Sequence, residues 1–153
     1  MDINEILENK LYEFTYILEN KNESERKLYH YQSVLNLVNG LLLVGHKSSL
    51  LLKNLMLEYF KSVEDLNYLM DQKNSLQFYK NYLLPVGQYL AEARGFRSKS
   101  DILKYIILGL VIDFSIYYIF ELKLFVFTPS LFLIGYSKLK RKRKNNEFFS
   151  INW

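Results

Sequence analysis

The stretch YIILGLVIDFSIYYIF, residues 105–120, decides how this chain is read. It is apolar almost throughout, yet Asp113 stands in its middle. A helix that is apolar on every side is buried in a large protein core or in lipid. On either side of it the apolar run continues, as ILKYIILGLVIDFSIYYIFELKLFVFTPSLFLIGY over residues 102–136, with Lys104, Asp113, Glu121 and Lys123 as its charges.

Upstream, the pattern is different. Residues 1–94 carry apolar positions at helical spacing with polar residues between them. In the first segment these are Ile3, Ile6, Leu7, Leu11, Phe14, Ile17 and Leu18. A second helix, from about Glu25 after an N-cap at Ser24, carries Leu28, Tyr31, Val34, Leu35, Val38, Leu41 and Leu42 and ends at Gly45. A third, capped by Ser48 or Ser49, buries Leu51, Leu52, Leu55, Met56, Tyr59, Val63, Leu66 and Met70. A fourth begins near Asn74 or Ser75, and Pro85 within it predicts a kink or break at Leu84. Four such stripes joined by short connections predict an up-and-down bundle. Gly (6) and Pro (2) are scarce, which suits long helices.

A bundle of this size already has four stripes to bury. It has no room to cover thirty-odd further apolar residues, so residues 102–136 are assigned to lipid. One layout is a hairpin with arms at 102–120 and 122–136 and the polar Glu121–Lys123 at its tip. The other is a single span over 105–127, with Thr128-Pro129 starting an interfacial helix. The charged tip favours the hairpin, although its arms are short for full spans. The ten Ile, Leu, Val and Phe residues of 105–120 give about −3 to −6 kcal/mol of insertion free energy, and Asp113 returns about +2.5 to +3.5. An acid at mid-span is therefore expected to face a partner group, with Tyr117 one turn away as a hydrogen-bond donor.

The net charge of +4 is unevenly placed. Residues 1–100 hold 12 Lys/Arg and 12 Asp/Glu, and residues 101–153 hold 8 and 4, so the excess is C-terminal. Most of it lies in KLKRKRK: Lys138, Lys140, Arg141, Lys142, Arg143 and Lys144. Beside an apolar segment this run reads as a cytoplasmic stop and a contact for anionic lipid. Arg94, Arg97 and Lys99 precede the apolar run, so the positive-inside tendency puts both of its ends in the cytoplasm.

The chain has no cysteine and two histidines, which excludes disulfides and Cys-based metal sites and disfavours a zinc site. No phosphate loop, dinucleotide turn or nucleophile elbow is present. Arg26 and His30, four apart, and His46 are read as structural residues. No cofactor is implied.

The expectation is thus an all-α protein: a four-helix up-down bundle (residues 1–94), a basic linker (95–101), a membrane-inserted helical hairpin (102–136) and a basic cytoplasmic tail (137–153). Its function would be non-enzymatic, that of a small membrane-anchored accessory or adaptor subunit docking on a larger integral membrane protein or on its own copies. Asp113 and Tyr117 would dock in the membrane, and Phe78, Tyr79, Tyr82 and Tyr89 on the soluble side. The alternatives are a membrane-acting defence protein, either a pore-forming effector or an immunity protein, and a soluble basic-tailed nucleic-acid binder.

Overall fold

The computed structural model describes residues 2–120 and 125–150, with the backbone alone at 46–48. The expected hairpin tip at Glu121–Lys123 and the terminal Trp153 lie outside the described residues, as does the side chain of His46. The chain divides into two compact units, residues 1–96 together with 149–153, and residues 97–148.

The first unit is a four-helix region. Its segments are α1 (Ile3–Glu19), the pair α2 (Glu23–Leu28) and α3 (Tyr31–Leu42), α4 (His46–Asp65), and α5 (Gln72–Phe78) continuing into α6 (Leu84–Arg94). The periodic stripes close over one core containing Leu7, Phe14, Leu18, Val34, Leu37, Val38, Leu41, Met56, Tyr59, Val63, Leu83 and Leu90. Phe14 meets Tyr59 and Phe60 edge-on, at centroid separations of 6.0 and 5.4 Å.

Local chemistry moves several boundaries from where the pattern alone puts them. The second helix starts after Asn22, not Ser24: Asn22 and Glu25 form a reciprocal capping box. It then breaks at His30, whose φ is +50°, so α2 and α3 are separate helices. The third helix begins at His46 with Gly45 as its N-cap and no side-chain cap, and Ser49 Oγ donates back to the Gly45 carbonyl at 3.1 Å. Leu51, expected in the core, is 79 % exposed. The fourth helix is interrupted just before Pro85, as expected, with α6 starting anew at Leu84. A π turn over Tyr79–Leu83 links α5 to α6 and places the proline in the first turn of α6, where a missing N–H is tolerated.

The C-terminus completes this unit. Phe149 is buried in the core, and a Cβ on Gly87 would lie 2.4 Å from its ring, so only glycine admits it. Ser33 Oγ donates to the Ser150 carbonyl at 2.9 Å and lies 3.0 Å from the Ser150 N–H.

The second unit is a pair of antiparallel helices, α7 (Asp101–Phe120) and α8 (Phe127–Lys144). The Arg97 N–H donates to the Glu147 carbonyl at 3.0 Å, opening a ladder of two two-residue strands, β1 (Arg97–Ser98) and β2 (Phe148–Phe149). The feet of the helix pair are therefore held together. Two glycines set the closeness of the helices: a Cβ on Gly109 would stand 2.6 Å from Thr128 Cα, and one on Gly135 2.7 Å from the Tyr105 ring.

Candidate functional site

The helix α7 has 20 residues, so it is about 30 Å long, the thickness of a bilayer's hydrocarbon core. Among the described residues it is the one helix long and apolar enough to cross a membrane. Its burial is inverted relative to a soluble helix. Leu103, Ile107, Leu108, Val111, Phe114, Tyr118 and Ile119 are exposed, and the buried residues are Gly109 and Asp113. The apolar exterior continues on α8 through Phe132, Leu133, Ile134 and Tyr136. From Phe127 to Tyr136 that face is about 15 Å long, half a bilayer core. The data thus support one membrane-length helix with a shorter companion.

Asp113 is fully buried, and its position explains why α8 starts where it does. One oxygen accepts from the backbone N–H groups of Val126 (3.2 Å) and Phe127 (3.0 Å). The other accepts from the N–H of Thr128 (2.8 Å) and from its hydroxyl (2.6 Å). A helix begins with four N–H groups that have no partner inside the helix. Here the first three bond Asp113, and the fourth position is Pro129, which has no N–H. Val126, the formal N-cap, has no side-chain acceptor. The carboxylate of the neighbouring helix does the capping instead, and it lies at the positive end of the α8 dipole. In an apolar medium each unpaired N–H costs several kcal/mol, so this arrangement lets a helix start inside the apolar band.

The need expected to be met by a partner's side chain is thus met within the chain. Tyr117, the expected donor, is 44 % exposed, and among the described residues it makes no bond to Asp113. It lines a shallow groove with Phe114, Ser115, Tyr118 and Ile119. In the sequence Thr128 stands only as a helix start before Pro129. No local pattern marks the bonds that Asp113 accepts, since thirteen to fifteen residues separate the partners.

The basic run divides by contact. Lys138 Nζ lies 5.5 Å from the Tyr105 ring centre and 3.3 Å from its hydroxyl. Lys142 pairs with Glu147, whose N–H also bonds the Lys142 carbonyl at 3.0 Å. Lys140, Arg141 and Lys144 are exposed and line an open bay with Tyr136 and Ser137; Arg143, which has an interaction of its own, also borders it.

The aromatics offered as soluble-side contacts pack on the core to different degrees. Tyr79 is buried, and Phe78, Tyr82 and Tyr89 are half-buried and pack on the core. Phe78 and Tyr82 meet Tyr59 edge-on at 6.0 and 6.1 Å. Tyr59 donates to the Tyr29 carbonyl at 2.6 Å, and burial pushes its phenol well above the ordinary tyrosine range. His30 is buried, with Nε2 2.9 Å from the Ser75 carbonyl, and Arg26 stacks over Tyr31, so the two share no surface. Lys53 is a buried cation the pattern did not mark; its Nζ donates to Asn4 at 2.8 Å. Among the described residues no group of three potential metal ligands converges.

Comparison with protein-family models, with curated proteins and with solved structures finds no match to this chain.

Proposed function

We propose that the protein is a small, non-enzymatic, membrane-anchored accessory subunit. The helix α7 enters the bilayer, α8 returns along it, and the bundle is held at the cytoplasmic face. There it serves a larger integral membrane protein. The observation that carries this reading is the inverted burial of α7: apolar side chains outward, with its one internal carboxylate bonded to the start of α8. The basic residues at both feet of the pair favour cytoplasmic ends. The exposed Tyr117–Tyr118 edge of α7 is the face offered to a membrane partner.

The test is fractionation of cells expressing the tagged full-length chain, followed by washes in high salt and in alkaline carbonate. Retention through both supports insertion; release by salt alone removes it. The matching control replaces residues 99–146 by a short Gly-Ser turn. Because the Arg97 N–H and the Glu147 carbonyl are 3.0 Å apart, such a turn can close the gap and keep Phe149 and Ser150 on the bundle. That variant is expected in the soluble fraction. A photo-crosslinking residue at Tyr117 then tests the partner: a discrete membrane-protein adduct supports docking, and crosslinks to lipid alone remove the adaptor role.

A further inference from the structure

Five of the six cations of the run 138–144 divide between two jobs, and we infer that Lys140, Arg141 and Lys144 form a headgroup site for anionic phospholipid on one face of α8. This deepens the anchoring reading and rests on it.

The division follows from helix geometry. Tyr136, Ser137, Lys140, Arg141 and Lys144 follow one another at i, i+1, i+4, i+5 and i+8, which places them along one stripe about 12 Å long. With Arg143 they line an open bay of about 650 Å³. Lys138 and Lys142 are four apart on a different stripe, and both are occupied, the first on Tyr105 and the second on Glu147. Lys138 thus braces α8 against α7, and Lys142 ties the end of α8 to the segment that follows it. Among the described residues, Lys140, Arg141 and Lys144 make no ion pair or hydrogen bond through their side chains.

Two features select lipid as the occupant. One is charge: an Arg fork and two ammonium groups suit a phosphodiester, with the Ser137 hydroxyl as a further donor. The other is continuity. Directly N-terminal on the same helix, Phe132, Leu133, Ile134 and Tyr136 are exposed and apolar. A phospholipid lying along α8 would meet apolar surface with its chains and cations with its headgroup, and tyrosine favours that boundary. A nucleic acid would gain nothing from the apolar part.

The experiment uses full-length protein in a zwitterionic detergent at low salt, titrated with short-chain phosphatidylglycerol. Short-chain phosphatidylcholine, inorganic phosphate and a single-stranded RNA are titrated in parallel. The triple variant Lys140→Gln, Arg141→Gln, Lys144→Gln is compared with the double variant Lys138→Gln, Lys142→Gln. At about fivefold per charge, the triple variant is expected to bind phosphatidylglycerol roughly a hundredfold more weakly, with an unchanged melting temperature. The double variant should bind within about threefold of the original chain and melt earlier. Equal loss in both variants, unchanged binding by the triple variant, or tighter binding of RNA, phosphatidylcholine or free phosphate overturns the inference. Salt washing of membranes carrying the triple variant separates the two readings. If the variant stays in the membrane but has lost the lipid preference, both stand. If the unaltered chain washes off, the anchoring reading fails on its own.

Discussion

The bundle and the helix pair solve opposite problems with the same helical geometry. In the bundle, Leu7, Phe14, Val38 and Leu90 are inside, and among the described residues the acids, arginines and lysines other than Lys53 are not buried. In α7 the large apolar residues are outside, and what is hidden is a glycine and an aspartate. In water, solvent can complete the exposed backbone at a helix end; α4 starts after Gly45, which offers no side-chain cap. An apolar medium supplies no acceptor, and on the proposed membrane placement Asp113 supplies one to the start of α8. The difference teaches that polarity alone does not sort residues into inside and outside. What matters is whether the surroundings of each donor and acceptor can complete its bonds.

The strongest way to break this comparison is Asp113→Ala. It leaves three N–H groups and a hydroxyl without their acceptor, at about 1–3 kcal/mol for each buried donor. A large fall in unfolding free energy in detergent is expected, with faster amide exchange at 126–128. If stability is unchanged, the start of α8 is in water and the comparison fails. Thr128→Val removes one donor and should cost about 1 kcal/mol.

Next is a matched pair of lysines. Leu108→Lys on α7 places a charge in the apolar band and should cost about 2.5–3.5 kcal/mol of insertion, read as loss from the washed membrane fraction. Leu51→Lys on the bundle, at a leucine that is even more exposed, should change stability by no more than about 0.5 kcal/mol. Equal effects at the two positions would erase the distinction between the regions.

A smaller effect is expected from a methyl group at a close approach. Gly109→Ala meets the Thr128 backbone, which has little freedom to move, and should destabilise the helix pair by about 1–3 kcal/mol. Gly40→Ala in the bundle meets the ends of Leu90 and Phe96, which yield more easily, and should cost less. Thermal unfolding of both variants checks the order.

The smallest effect near neutral pH concerns the bundle alone. Burial raises the Tyr59 phenol above its unfolded value of about 10. The folded state therefore holds that proton more tightly, and the resulting stability is complete below pH 10 and is lost as pH rises beyond it. Ultraviolet titration should show Tyr59 ionising only together with unfolding. Tyr59→Phe should remove that late step and cost about 1 kcal/mol for its lost bond to the Tyr29 carbonyl.

The sequence by itself determined the helical stripes of the bundle, the apolar run too long for so small a core, and the basic block beside it. These are sums over neighbouring residues, and hydrophobic period and charge density are local quantities. It misplaced Leu51 and missed the break at His30, because an αL residue depends on what the adjoining helices require. The tertiary structure alone decided what Asp113 bonds, which of the six cations are occupied, and that Phe149 and Ser150 return to the bundle. Asp113 with Thr128, Lys138 with Tyr105 and Ser33 with Ser150 each join residues far apart in the chain. A hydrogen bond depends on distance and direction in space, and a linear pattern carries neither.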